Sequence, residues 1–197
     1  MLQQRIQQHF FDSADLHYAA ADALSRPIAD AAQALVGCVT AGGKVLACGS
    51  GEAATSAARH FAARFIGGFE RERPGLAALA LTADAAPAGG DEGDAARAFV
   101  QQVQALGAPG DVLLAVGAGA ASAALDAAIV AAKAKDMTVL ALTGQDADGW
   151  HGALTDTDVH IAVPHERAAR VHEVHLLVVH CLCDAVDLQL LGEEEPS

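Results

Sequence analysis

The sequence predicts one α/β domain with five parallel strands, doubly wound in the flavodoxin manner and preceded by an N-terminal helical hairpin. Three observations predict it. Short apolar runs recur at 44–48, 76–81, 112–116, 138–142 and 159–163, with helical patterns between them. Those runs are continuously apolar rather than alternating, which is how strands covered on both faces read. The length of 197 residues suits a single domain. The expected division is a hairpin over 1–42, an α/β core over 43–192 and an acidic tail over 193–197.

In the hairpin, Leu2, Ile6, Phe10 and Phe11 recur at helical spacing, followed by Leu16, Ala20, Ala23 and Leu24. Ser25-Arg26-Pro27 reads as a break and a restart, because proline suits the first turn of a new helix. The second arm carries Ile28, Ala31, Ala32, Leu35 and Val36 and ends near Gly42-Gly43. Later helices are expected at about 54–66, 92–106, 122–134, 146–153 and 167–191. The last is apolar nearly all round until Asp184 and Asp187, the pattern of a buried helix. The tail 193–197 is expected to fray.

Hydrophobic residues make up 52% of the chain, which excludes intrinsic disorder. The net charge of −13 argues against direct binding of nucleic acid or an anionic membrane. No run of 18 uninterrupted apolar residues is present, and the N-terminus lacks the apolar region of a signal peptide. Cys38, Cys48, Cys181 and Cys183 show no metal-type spacing, so reduced thiols and a cytoplasmic location are expected.

Ligands of such sheets sit at the carboxyl ends of the strands. Gly49-Ser50-Gly51-Glu52-Ala53-Ala54 follows the first strand and opens a helix, matching the Gly-x-Gly-x-x-Gly/Ala dinucleotide pattern. The acidic residue that pattern needs lies too far on, near Asp84. The plainer reading is a tight glycine turn at a helix N-terminus, which can bind an anion. Gly49, Ser50, Gly51 and Thr55 in this turn are candidate ligand or phosphate residues, and Gly117, Gly119 and Ser122 are candidates by the place of their loop after the third strand.

Longer motifs carry a resemblance. They are the glycine loop with the helix ending His60-Phe61-Ala62-Ala63-Arg64-Phe65, then Glu72-Arg73-Pro74-Gly75-Leu76 and Gly110-Asp111-Val112-Leu113-Leu114. To these add Asp136-Met137-Thr138-Val139-Leu140-Ala141-Leu142-Thr143-Gly144 and Ala169-Arg170-Val171-His172-Glu173-Val174-His175. Together they resemble the sugar isomerase (SIS) domain family, within it the phosphoheptose isomerase group and the related DnaA initiator-associating proteins. Cys181-Leu182-Cys183-Asp184 resembles the latter more. The resemblance implies a homotetramer with sites between subunits and a Ser/Thr loop that holds a sugar phosphate. It also implies a glutamate base one turn after the helical histidine, and a site on the last helix that can hold zinc.

The chain departs from that pattern. Gly117-Ala118-Gly119-Ala120-Ala121-Ser122 keeps one hydroxyl where the family has several, and the loop at 85–91 looks short. Arg64 stands at the base position, and arginine stays protonated. Glu52 and Glu173, with His180, are the catalytic candidates if the chain is an isomerase. His60, His172 and His180 are candidate zinc ligands. Residues 172 and 180 are separated by about 12 Å of helix, so such a site needs two subunits.

These departures predict a non-catalytic homotetramer that binds the replication initiator DnaA through linked sites and promotes initiation. It would require no cofactor, with zinc possible, and would bind neither nucleic acid directly nor a membrane. Leu190 and Leu191, beside the acidic tail, are the candidate partner-binding end. The alternatives are a phosphoheptose isomerase acting on sedoheptulose 7-phosphate and a sensor that binds a sugar phosphate without reacting it.

Overall fold

The structure is a computed structural model and describes residues 1–83, 92–119, 122–145 and 153–193. Five strands form one parallel sheet: β1 (Val45–Gly49), β2 (Ala78–Ala80), β3 (Val112–Val116), β4 (Thr138–Thr143) and β5 (Val159–Ala162). Their order is β2-β1-β3-β4-β5. Every adjacent pair is parallel; Val45 of β1 lies in register with Ala78 of β2 and Val112 of β3. The doubly wound α/β class expected from the sequence is the class observed.

The sheet has two buried faces because alternate residues of each strand point opposite ways. Val45, Ala47, Val112, Leu114, Leu140 and Leu142 face a core shared with α1 (Leu2–Thr40), α2 (Glu52–Gly67) and α5 (Ala168–Leu191). Leu46, Cys48, Leu113, Ala115, Val139 and Ala141 face α3 (Glu92–Leu106) and α4 (Ala123–Lys133). Small side chains let the helices approach closely: Ala57, Ala58, Ala128 and Ala132 are all buried.

The N-terminal hairpin does not form. Residues Leu2–Thr40 make one continuous helix of 39 residues with Pro27 inside it. Proline removes a single N–H donor and usually kinks or breaks a helix. Here packing carries the helix past it. Leu16, Ala20 and Leu24 before the proline, and Ala31, Leu35 and Cys38 after it, all join the same core. Before Leu16 no residue of α1 is buried, and Leu2, Ile6, Phe10 and Phe11 are exposed.

Helix α5 is long and apolar enough to cross a membrane by composition alone. Its apolar residues instead enter the core between α1 and α2, with Val171, Val174, Val178, Leu182 and Val186 buried. Ion pairs pin the ends of the elements. Lys44 Nζ and Asp111 Oδ2 are 2.6 Å apart at the starts of β1 and β3. Lys133 Nζ and Asp158 Oδ2 are 2.8 Å apart between α4 and the start of β5. Arg73, past α2, pairs with Asp187 of α5, both fully buried. The helix expected at 146–153 lies almost wholly outside the described residues, as do the loop 85–91 and the last residues of the tail.

Candidate active site

The sheet order reverses at β1, which has β2 on one side and β3 on the other. A crevice at the carboxyl ends of β1 and β3 follows from that reversal, and the two loops singled out in the sequence flank it. Ser50 N–H donates to the Val116 carbonyl at 3.1 Å and ties them together. Gly49 must be glycine: an added Cβ would lie 2.3 Å from the Ala54 carbonyl group. Gly51 takes φ +82°, a conformation that favours glycine. Thr55 Oγ1 donates to the Gly49 carbonyl at 3.0 Å, so this hydroxyl braces the turn. Ala54, which closes the glycine pattern, is buried.

Across the crevice, Gly117 is buried and its N–H donates to the Leu142 carbonyl at 2.9 Å. Gly119 is exposed. Ser122 is buried at the N-cap of α4, and its carbonyl accepts from Asp126 N–H at 2.9 Å. Residues 120–121 lie outside the described chain. The seven predicted ligand residues thus lie in the segments that follow β1 and β3, at the carboxyl ends of neighbouring strands. The first-turn N–H groups of a helix lack helical partners, and α2 and α4 both begin there.

Along the face between α2 and α5, His60 and His180 meet. Their Nε2 atoms are 2.9 Å apart and their ring centroids 5.1 Å. Phe69 stands 5.0 Å from His180 on the other side. Burial, then His180, then the Arg64 charge one turn along α2 hold the His60 imidazole below its ordinary value. The sequence expectation ruled out only His172 and His180 of one chain as ligands of a single ion and left the position of His60 open. The structure brings two of them together within one chain, because α2 and α5 pack side by side.

His172 does not join them. It lies two turns earlier on α5, and its Nδ1 is buried without a partner. His175 is fully buried and donates from Nε2 to the Thr143 carbonyl at 3.1 Å. Burial pushes it down to about 4, opposed by that hydrogen bond and assisted by His172.

The two candidate carboxylates are elsewhere. Glu52 is exposed in the first turn of α2. Glu173 faces α1, where the buried Arg170 guanidinium grips it and Ser13 Oγ donates at 2.8 Å. Burial raises the Glu173 carboxyl, but Arg170, Ser13 and His17 outweigh it and hold it below the usual range. A carboxylate so occupied is a weak base. Arg170 also donates to His9 Nδ1 at 2.9 Å, completing a polar bridge between α1 and α5. Sequence reasoning missed this bridge, although Arg170 and Glu173 stand at the i, i+3 spacing that pairs charges on a helix.

Within one chain, the described side chains around His60 and His180 do not make a zinc site. Among the described residues no three His, Cys, Asp or Glu side chains come together. A catalytic zinc takes three protein ligands. Two imidazoles are available here, and the position one turn after His60 holds Arg64, which has no lone pair to give. Leu190 packs partly against the core, while Leu191 is exposed, so the predicted partner-binding pair is divided between interior and surface.

A parallel five-stranded fold with its crevice between two glycine-rich loops defines a class, and the sequence bears it out: the chain belongs to the SIS domain family, which it matches over residues 9–144. Within that family it falls in the phosphoheptose isomerase group. It is 62% identical over 197 residues to a phosphoheptose isomerase of Methylibium petroleiphilum, covering 99% of this chain and 98% of that one. A phosphoheptose isomerase structure from Neisseria gonorrhoeae superposes with TM-score 0.86 at 40% identity, over 95% of this chain and 99% of that chain. One from Francisella tularensis gives TM-score 0.88 at 36% identity, over 95% and 98%.

These relatives overturn the expectation of a non-catalytic DnaA-binding protein. Nothing in them supports a DnaA initiator-associating protein as the nearer kin, and the full-length similarity runs to enzymes. Few hydroxyls in the segment 117–122 do not by themselves make a chain of this group inactive. Backbone N–H groups can hold a phosphate without those hydroxyls.

Proposed function

We propose that the chain is a sugar-phosphate isomerase of the phosphoheptose type, interconverting sedoheptulose 7-phosphate and an aldoheptose phosphate. One observation carries this reading: the full-length identity of 62% to a curated phosphoheptose isomerase. The crevice supports it, because the N-termini of α2 and α4 offer backbone donors to a phosphate.

The reaction moves a proton between neighbouring carbons. A base takes it from the carbon beside the carbonyl, an enediol forms, and the other carbon receives a proton. No electrons enter or leave the substrate. Glu173 is bound to Arg170, and Glu52 sits at the mouth of the glycine turn. The His60–His180 pair is the group that moves the proton in this reading, since one ring nitrogen of an imidazole can accept a proton while the other donates.

A homotetramer and a cytoplasmic location belong to the same proposal. The exposed Leu2, Ile6, Phe10 and Phe11 on the projecting half of α1 support self-association. An apolar groove of about 280 Å³, lined by Leu24, Ile28, Leu177 and Cys181, lies between α1 and α5. The test is turnover by the purified chain. Conversion of sedoheptulose 7-phosphate is expected. Thermal stabilisation by the sugar phosphate without turnover overturns the enzyme and leaves a sensor.

A further inference from the structure

We propose that Arg64 takes the place of a divalent metal ion beside the His60–His180 pair, so that this site works with a fixed guanidinium charge and no metal. The geometry comes first. The two Nε2 atoms are 2.9 Å apart and face each other. Two nitrogens bound to one tetrahedral zinc stand about 3.4 Å apart, with the ion between them. Here the space between them is a hydrogen bond.

The donor set comes second. Arg64 follows His60 by one turn of α2 and is exposed, while Phe69 closes the far side of His180. Residues four apart on a helix lie on one face, so Arg64 shares the face of α2 that carries His60. Its positive charge on that face opposes the approach of a second cation.

The chemical consequence rests on the isomerase reading above. When the proton leaves the carbon beside the carbonyl, the C–H electron pair becomes the new C=C bond and negative charge collects on the carbonyl oxygen. A fixed cation at that oxygen stabilises the enediolate as a Lewis-acidic metal would. The proton returns to the neighbouring carbon, the hydroxyl proton on the first carbon passes to the former carbonyl oxygen, and the substrate as a whole is neither oxidised nor reduced.

The test reads metal occupancy, so its outcome stands apart from whether the chain turns over a sugar. Zinc is titrated against a chromophoric chelator with the full-length wild type, Arg64→Gln, Arg64→Glu and the double variant Arg64→Glu/His180→Ala. The wild type is expected to carry no stoichiometric zinc. Arg64→Glu is expected to gain zinc affinity by about 100-fold or more, beyond the 10–100-fold typical of indirect metal partners. Arg64→Gln should gain less, reporting the removed charge alone, and His180→Ala should abolish the gain. Arg64 is exposed, so these variants are expected to fold. A wild type that binds one zinc per chain and loses it on His60→Ala overturns the proposal, as does an Arg64→Glu variant that folds and gains no zinc.

Discussion

His60 on α2 and His180 on α5 stand 120 residues apart in the sequence and 2.9 Å apart at their Nε2 atoms. One imidazole must donate and the other accept, so the pair holds a proton between them. Their partnership follows from the sheet. Both α2 and α5 cover the same face, where Phe61 and Phe65 of α2 share a core with Val179, Leu182 and Cys183 of α5.

Replacing either histidine should abolish proton movement and leave the fold intact, since both are only part-buried. His60→Ala and His180→Ala are each expected to lower kcat by about 10²–10⁴-fold. Steady-state kinetics with sedoheptulose 7-phosphate, beside a thermal melt, checks this. A variant that melts normally and keeps wild-type kcat contradicts it.

The role of Arg64 separates charge from shape. Arg64→Gln should lower kcat by about 10²–10³-fold, the loss typical of one donor at a developing oxyanion, with a smaller change in KM. Arg64→Lys, which keeps the charge, should recover part of the loss. Equal rates for all three chains would show that the guanidinium takes no part.

The buried pair of Arg73 and Asp187 joins the segment after α2 to α5, with side chains 2% and 1% exposed. Arg73 also donates to the Phe65 carbonyl at 2.9 Å. Asp187→Ala leaves a buried guanidinium without its counter-charge and should cost about 3–5 kcal/mol. Changing both residues to apolar side chains of similar volume should cost less than the single change. Urea unfolding midpoints of the single and double variants decide the matter.

Asp158 sets a pH dependence. Burial raises its carboxyl, but donors from Lys133, the Thr155 and Val139 N–H groups and the Thr155 hydroxyl outweigh burial and hold it below the usual range. Asp111 is depressed in the same way by Lys44 and Ala108 against its own burial. A carboxyl lowered in the folded state stabilises the protein above its unfolded value of about 3.9, and that contribution is lost as pH falls through the lowered folded value. Stability measured by denaturant should therefore be level in these terms from neutral pH down to about pH 5 and fall below about pH 4. Asp158→Asn should lower stability at neutral pH and flatten the acid slope; an unchanged slope would contradict the assignment.

The fold was largely legible because strand burial leaves a strong mark: continuous apolar runs at 112–116 and 138–142 became β3 and β4 with little change of boundary. Pro27 misled because its local preference for a helix start was weighed above the stripe that runs through it. Leu16, Ala20, Leu24, Ala31 and Leu35 keep helical spacing across the proline, and tertiary burial won. At the site, the glycine turns were legible because Gly49 answers to a local collision. The contact of His60 with His180 was not, since it depends on which helices share a face. Arg170 and Asp187 carried a signal that went unused: a charge on the apolar face of a helix must find a partner.

Isomerisation itself is tested most directly by one measurement. The purified chain is incubated with sedoheptulose 7-phosphate in deuterated buffer and followed by NMR. Formation of an aldoheptose phosphate, with deuterium entering at the carbon beside the carbonyl, is the predicted result. A folded chain that leaves the substrate unchanged, with no deuterium incorporated, would contradict it.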